Sequence, residues 1–301
     1  MNLSIDFPKN FHFRRTAYSH GWYRLLPFEL DEAGWRLSYV FSGGELKQPV
    51  TASVSEDNQK LKIEITGGGI GEKERAKILR DVRHIFRLDD DLGGFYRLTK
   101  KEDDFRWIAK VSAGRLLRSP TVFEDLVKTI CTTNCSWALT EKMVANLVEK
   151  LGEPSAGGGR AFPTPEKMAE QPPQFYRDEI RAGYRAPYFT ELAERVAGGS
   201  LDPEAWLRKD LPTGELKKQM KQVKGVGDYA AENLLKLVGR YDGLGLDSWV
   251  RPQFSRKHNK GRAASDEKIH RHYARFGVWR GLALWCDLTE DWLDESGNAR
   301  W

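Results

Sequence analysis

The sequence predicts an α+β protein, with an antiparallel sheet over residues 1–71 and a mostly helical region over residues 72–301. Two stretches carry the strand half of this reading. WRLSYVF (35–41) alternates Trp35, Leu37, Tyr39 and Phe41 with polar or smaller residues, and KLKIEIT (60–66) does the same with Leu61, Ile63 and Ile65. From Glu72 onward the apolar spacing lengthens to that of a helix. Ala76, Leu79, Val82 and Phe86 fall on one face, as do Phe123, Leu126, Val127 and Ile130, and then Met143, Val144, Leu147 and Leu151.

The intervening elements follow in order. PVTASVS lies between the two strands, with turns at SGGE and SEDNQ, so residues from about 20 to 66 form an antiparallel sheet with one wet face. TGGGIGEK (66–73) follows a strand and opens a helix, as phosphate loops do. It lacks the Gly-Lys-Ser/Thr ending of such loops and reads as a linker. GEPSAGGGRAFPTP (152–165) is a Gly/Pro-rich connection, and further helices are predicted over 173–182, 187–197, 265–276 and 279–289. There is no internal repeat.

Composition narrows the class. With 301 residues, 40% of them hydrophobic, the chain can bury a core divided into two or three packed units. No apolar run approaches the roughly 20 residues of a membrane span, and no basic segment followed by an apolar one opens the chain. A soluble, monomeric, cytoplasmic protein is expected. Cys131, Cys135 and Cys286 are too few and too scattered for a disulfide framework, a four-cysteine zinc site or an iron–sulfur cluster, and read as small apolar side chains. His270 and His272 are two apart and do not share a helical face, so with His258 they predict no metal site. The net charge is +5, but between Arg208 and Arg262 there are 13 Lys and Arg against 6 Asp and Glu. That local excess favours a polyanion as partner.

The same basic stretch contains VKGVGDYAAENLLKLVGRYDGLGLDSWVR (223–251). Leu216, Met220 and Val223 form one apolar face after a helix start at Pro212 and Thr213; Ala231, Leu234, Leu235 and Val238 form a second that stops at Gly239. Two short helices therefore pack through a tight turn, a hairpin over 213–239. Gly225 and Gly227 permit positive φ and let another backbone approach. The second helix begins at Gly227 and Asp228, where unpaired N–H groups and the positive end of the dipole suit a phosphate, with Lys217, Lys218, Lys221 and Lys224 around it. Such contacts hold a nucleic-acid strand without reading its sequence. A plain helical hairpin with a solvated lysine face has the same pattern.

Asp247, on the loop over 240–251, adds a carboxylate. It can cap the helix that follows, which tolerates Pro252 in its first turn. A carboxylate beside a phosphate site is electrostatically awkward unless it stabilises a positive charge. Cleavage of an N-glycosidic bond creates that charge, because the sugar becomes oxocarbenium-like.

This segment resembles the helix-hairpin-helix and catalytic aspartate signature of the DNA glycosylase superfamily that contains the alkylbase (3-methyladenine) and 8-oxoguanine glycosylases. The resemblance runs from about Ile78 to Leu288 through GRLLRSPTVFEDLVKTICTTNCSW, MVANLVEKLGEP, IRAGYRAPYFTELAERV and FGVWRGLALWCDL. It implies that Asp247 is catalytic and that Gly225, Val226 and Gly227 form the hairpin that grips the damaged strand. It also implies that Asn134 fills the gap left by a flipped base, and that Tyr184 and Arg185 wedge the duplex and contact the orphaned partner. Double-stranded DNA with a damaged base is the implied partner, and no cofactor is implied. Flipping exposes a bond that the duplex shields, at a cost of a few kcal/mol that damage lowers.

Two departures shape the expected chemistry. Relatives that also cut the strand carry a lysine two residues after the second glycine; here Tyr229 stands there, so a monofunctional enzyme is expected. Where the 8-oxoguanine enzymes carry an arginine for the opposite cytosine, this chain has Leu139. Among ten tryptophans, Trp137, Trp249 and Trp285 are candidates to line a pocket, with Tyr229, for a cationic N-alkylated purine, each ring contributing about 0.5 to 2 kcal/mol. The alternatives are a glycosylase/lyase using Lys224 or Lys236, and a helix-hairpin-helix protein that binds DNA without catalysis.

Overall fold

The computed structural model describes residues 1–208 and 210–294. Lys209 of the basic stretch and the last seven positions of the helical region expected to run through 301 lie outside them. Five antiparallel strands, β1 (Asn2–Asp6), β2 (Glu29–Asp31), β3 (Arg36–Phe41), β4 (Val50–Asp57) and β5 (Lys60–Thr66), form one sheet in the order β1-β5-β4-β3-β2. The alternation read from the sequence sets its register: Val54 pairs with Leu37 on one side and Ile63 on the other, and all three are buried. A two-residue turn at Asn58 and Gln59, both at positive φ, joins β4 to β5. β1 escaped the sequence reading because its five residues contribute one buried side chain, Ile5. Short helix α1 (Phe13–Ala17) and a 3₁₀ turn (Gly21–Arg24) connect β1 to β2.

The helical region begins where the period changes, with α2 (Glu72–Ile85), α3 (Gly93–Thr99) and α4 (Arg106–Lys110). α5 (Val122–Thr132) and α6 (Trp137–Leu151) follow, started by Thr121 and Ser136 side chains that accept the amides of Glu124 and Leu139. α7 (Pro165–Ala169), α8 (Pro173–Asp178) and α9 (Ala186–Ala197) lead to the hairpin helices α10 (Thr213–Lys221) and α11 (Asp228–Leu237). The chain then forms α12 (Val250–His258), α13 (Asp266–Tyr273) and α14 (Arg280–Leu288). No helix among the described residues is long and apolar enough to cross a membrane.

Two apolar cores result. One joins the buried face of the sheet to α2, α5, α6, α9, α10 and α11; the other gathers α3, α4, α12, α13 and α14. α5 is the keel of the first, with even its charged residues buried. Glu124 pairs with Lys128 at 2.6 Å and accepts the hydroxyl of Tyr39 from the sheet at 2.5 Å; Asp125 accepts Trp22 Nε1 at 2.7 Å. These bonds satisfy groups that would otherwise cost several kcal/mol in that position. They also lock the N-terminal segment to the helix that backs the hairpin.

Candidate active site

A cleft of about 1290 Å³ opens along the seam between the two cores. The hairpin forms one wall. Gly225 lies at φ 89°, and a Cβ there would come within 2.9 Å of the Tyr188 ring, so both conformation and space require glycine. Val226 is the hinge pin, 4% exposed, its amide donating to Val223 O at 3.0 Å. Gly227 precedes α11 at φ −84°, with open space where its Cβ would be. Nothing inside the protein demands glycine there.

The lysines around the hairpin are not free cations. Lys217 pairs with Glu232 at 2.6 Å and Asp228 at 3.1 Å, Lys221 with Asp228 at 2.9 Å, Lys218 with Glu215 at 2.8 Å, and Lys224 with Glu191 at 2.5 Å. Most of these pairs are exposed and individually weak, so a phosphate can compete for the ammonium groups. The backbone amides at the α11 start are the fixed part of the site.

Across the cleft, Asn134 sits at φ 46° in the turn between α5 and α6, its Nδ2 3.4 Å from the Tyr184 hydroxyl. Tyr184 is 52% exposed. Both side chains are exposed and line the cleft. Arg185, expected to contact the orphaned partner, departs from that expectation: it is 3% exposed, and its guanidinium donates to Thr133 O and Thr133 Oγ1 while stacking 4.5 Å from the Tyr184 ring centroid. Its place is beneath the strained turn, holding Asn134 and Tyr184 in position. Leu139 stands 36% exposed in the first turn of α6.

Asp247 lines the cleft beside the hairpin. Its Oδ1 accepts the amides of Trp249 at 2.9 Å and Val250 at 2.6 Å, so it does start α12, as its position suggested. Its Oδ2 has no hydrogen-bond partner among the described residues. One oxygen therefore fixes the side chain and the other remains for whatever enters. Tyr229 lies on the adjoining face of α11; burial and the Asp247 charge push its phenol upward, so it is neutral at any working pH.

The far wall is aromatic. Trp249, Trp285 and Trp292 form a triangle with ring centroids 5.6, 5.8 and 6.1 Å apart, and Trp285 donates to Ser19 O at 2.8 Å. Trp137 also lines the cleft, with Gly21 packed so closely on its ring that no side chain fits between them. Sequence reasoning missed Trp292, because its short helical turn carries no apolar period. It also missed Tyr18, His20, Trp22 and Tyr23, although the density of aromatic residues around Gly21 was a signal. His20 Nε2 donates to Leu117 O at 2.6 Å, and burial lowers its pKa to about 4, so the imidazole in this wall is neutral.

The thiols serve packing: burial raises both Cys131 and Cys286 to about 12. His272 does not meet His270. It stacks on His258 of α12, and both lie near Asp287 of α14, the donor atoms of the three falling within 4.8 Å. Asp287 is already engaged by His258 at 2.6 Å, by Lys257 at 2.9 Å and by the Tyr273 hydroxyl. An ammonium on the shared carboxylate makes this a structural ion-pair network.

The five-stranded sheet fused to a helical region is a fold shared with solved DNA glycosylases. In fold, the chain is similar to the 3-methyladenine DNA glycosylase of Archaeoglobus fulgidus, with a TM-score of 0.75 over 96% of this chain and 98% of that one at 20% identity. The apo form of the Clostridium acetobutylicum 8-oxoguanine glycosylase/lyase superposes with a TM-score of 0.72 over 94% of each chain at 22% identity. In sequence, the DNA-3-methyladenine glycosylase of Bacillus subtilis (strain 168) is 24% identical over 262 residues, 82% of this chain and 86% of its own. The chain matches no known family profile.

Proposed function

We propose that the protein is a base-excision repair glycosylase that flips a damaged, N-alkylated purine out of duplex DNA and hydrolyses its N-glycosidic bond. The observation that carries this reading is the shared cleft: the unpartnered Oδ2 of Asp247, the hairpin at 224–227 and the tryptophan triangle all border one space. Its chemistry follows from that arrangement. α11 amides, with the nearby lysines, anchor a phosphate and bring the deoxyribose past Asp247. Asn134 and Tyr184 enter the duplex from the opposite lip and fill the space the nucleotide leaves. The extruded base stacks among electron-rich indoles, which favour a cationic alkylated ring over its neutral parent. As the bond to that base lengthens, positive charge grows on the sugar, and the fixed carboxylate stabilises it without having to reorganise. No cofactor enters these steps, and one chain supplies all the groups.

The relatives named above include two 3-methyladenine DNA glycosylases and an 8-oxoguanine glycosylase/lyase, and the hydrolytic outcome proposed for this chain rests on Tyr229. A phenol forms no Schiff base with the sugar, and Lys236 is buried on Leu244 O. The test is incubation with duplex DNA bearing single defined lesions, among them 3-methyladenine and 7-methylguanine, followed by heating in alkali. Strand breaks at the lesion with wild type, and none with Asp247→Asn, are expected. Binding without breaks across the panel would make it a DNA-binding protein without catalysis.

A further inference from the structure

The loop that delivers Asp247 is seated on two charged residues that its helix has no structural need for. Glu232 and Lys236 lie one turn apart on α11, on the side facing residues 243–245. Glu232 Oε2 accepts the amide of Gly245, and Lys236 Nζ donates to the carbonyl of Leu244 at 3.0 Å. Two consecutive backbone groups, two and three residues before Asp247, are thereby held by one helix face. Glycine is required to allow it. Gly245 is at φ 66°, and a Cβ there would stand 2.6 Å from Lys236 Nζ; one on Gly243 would press on the Glu232 stem at 3.1 Å. From the other side, Gly281 at the start of α14 donates to Tyr241 O at 2.7 Å. The loop is gripped between α11 and α14, and the α11 half of the grip is ionic.

Burying an ammonium is costly, and Lys236 is 3% exposed amid Leu234, Leu235 and Leu237. An apolar side chain would fill that volume at lower cost. What the lysine adds is charge. Leu244 O is its one hydrogen-bond partner among the described residues, and Lys236 itself lines the cleft together with Asp247. The carboxylates that act on it are Glu232 and Asp247, and burial nonetheless draws its pKa down to about 8. Lys217 balances the far side of Glu232 at 2.6 Å, so Glu232 serves the amide of Gly245 and a surface cation together.

We infer that Glu232 and Lys236 form an ionic clamp that positions the Asp247 loop for catalysis, Lys236 acting as a positioning residue and not as a nucleophile. This rests on the glycosylase reading and deepens it. The geometry explains why a cation is retained beneath the catalytic loop even though Tyr229 stands where the lyases place theirs.

The test compares Lys236→Met, Lys236→Arg and Glu232→Gln with wild type in single-turnover release of base from the best lesion of the panel, alongside affinity for duplex DNA containing a tetrahydrofuran abasic analogue. Lys236→Met is expected to slow base release at saturating enzyme by about 100-fold, the scale of one lost electrostatic contact, with abasic-DNA affinity within about threefold. Lys236→Arg should recover at least about tenfold of that loss, which a simple packing role would not permit, since arginine is the bulkier misfit. Should Lys236→Met fold poorly, Glu232→Gln keeps the volume and removes the charge, and is expected to slow release by about tenfold with the same binding. Release at the wild-type rate in Lys236→Met or Glu232→Gln overturns the clamp alone. Borohydride capture of the wild type on DNA that is lost in Lys236→Met also overturns it, by making the lysine a nucleophile. A wild type inert on every lesion overturns the glycosylase reading and the clamp with it.

Discussion

Asp247 Oδ1 accepts the amide of Val250 at 2.6 Å, so the side chain in the cleft is also the one that starts α12. Capping and catalysis are usually weighed as rival explanations for such an aspartate. Here one oxygen holds the helix start and the other is left for the proposed catalysis, and the two are separable by substitution. Asparagine retains a capping oxygen and loses the charge; alanine loses both. Asp247→Asn is expected to keep the wild-type melting temperature while base release falls at least about 100-fold, and Asp247→Ala to lose about 1 kcal/mol of stability as well. Thermal melts beside single-turnover assays give the comparison; equal destabilisation by both changes would contradict the division of labour.

The two hairpin glycines should respond differently to alanine. Gly225→Ala forces a side chain into positive φ and against Tyr188, at a cost of about 1 to 2 kcal/mol. Gly227→Ala meets open space at negative φ and is expected to change stability by less than about 1 kcal/mol. If a DNA backbone lies against that space, the second variant should nevertheless bind lesion duplex at least about tenfold more weakly, a loss of about 1.4 kcal/mol. Unimpaired binding by Gly227→Ala in a titration would remove DNA from this face.

Arg185 and Tyr184 offer another contrast. Truncating buried Arg185 to Met leaves Thr133 O short of a donor and frees the turn at Asn134, so stability is expected to fall by about 1 to 3 kcal/mol together with affinity for abasic-analogue DNA. Tyr184→Ala, at an exposed position, should leave the melting temperature in place and still weaken that affinity. Differential scanning fluorimetry and DNA titration on both variants would check the pair.

The pH dependence of stability contains two opposing contributions. His20 has a folded pKa of about 4 against 6.5, so the unfolded chain takes up a proton first, and stability falls as pH drops from about 6.5 to about 4. Asp125 is raised by burial from 3.8 to about 7; the folded chain holds a proton that the unfolded one has released, and stability falls as pH rises through that interval. His20→Gln keeps a donor for Leu117 O and should flatten the acid side of the melting-temperature profile. Asp125→Asn should make the rise with pH steeper. Profiles of the two variants that shift the same way would refute the assignment.

Tyr229 predicts that borohydride traps no covalent adduct between the wild-type protein and lesion DNA, whereas Tyr229→Lys gains one. Gel analysis after reduction reads both; a wild-type adduct would mean that some other amine reaches the sugar.

Much of this site was legible before folding. The hairpin glycines, Asp247 and Trp249 lie in one short stretch and Trp285 is marked by its residue type, while the sheet's alternation and the helical periods give the two-part architecture. Two other features needed the third dimension. From its sequence, Arg185 is placed against the DNA because nothing local shows that Thr133, 52 residues earlier, will close over it. His20 and Trp292 lie 272 positions apart and line the same cleft.

The sequence by itself determined which elements form and which residues could carry charge, stacking or a tight turn, because those are properties of neighbouring side chains and of backbone freedom. Only the tertiary structure decided that Asp247 keeps one oxygen free, that Lys236 lies buried under its loop, and that three tryptophans, one just before α12, one from α14 and one from a 3₁₀ turn, make one wall. Those outcomes depend on which surfaces two separate cores present to each other, and that is fixed by long-range packing rather than by any local stretch of chain.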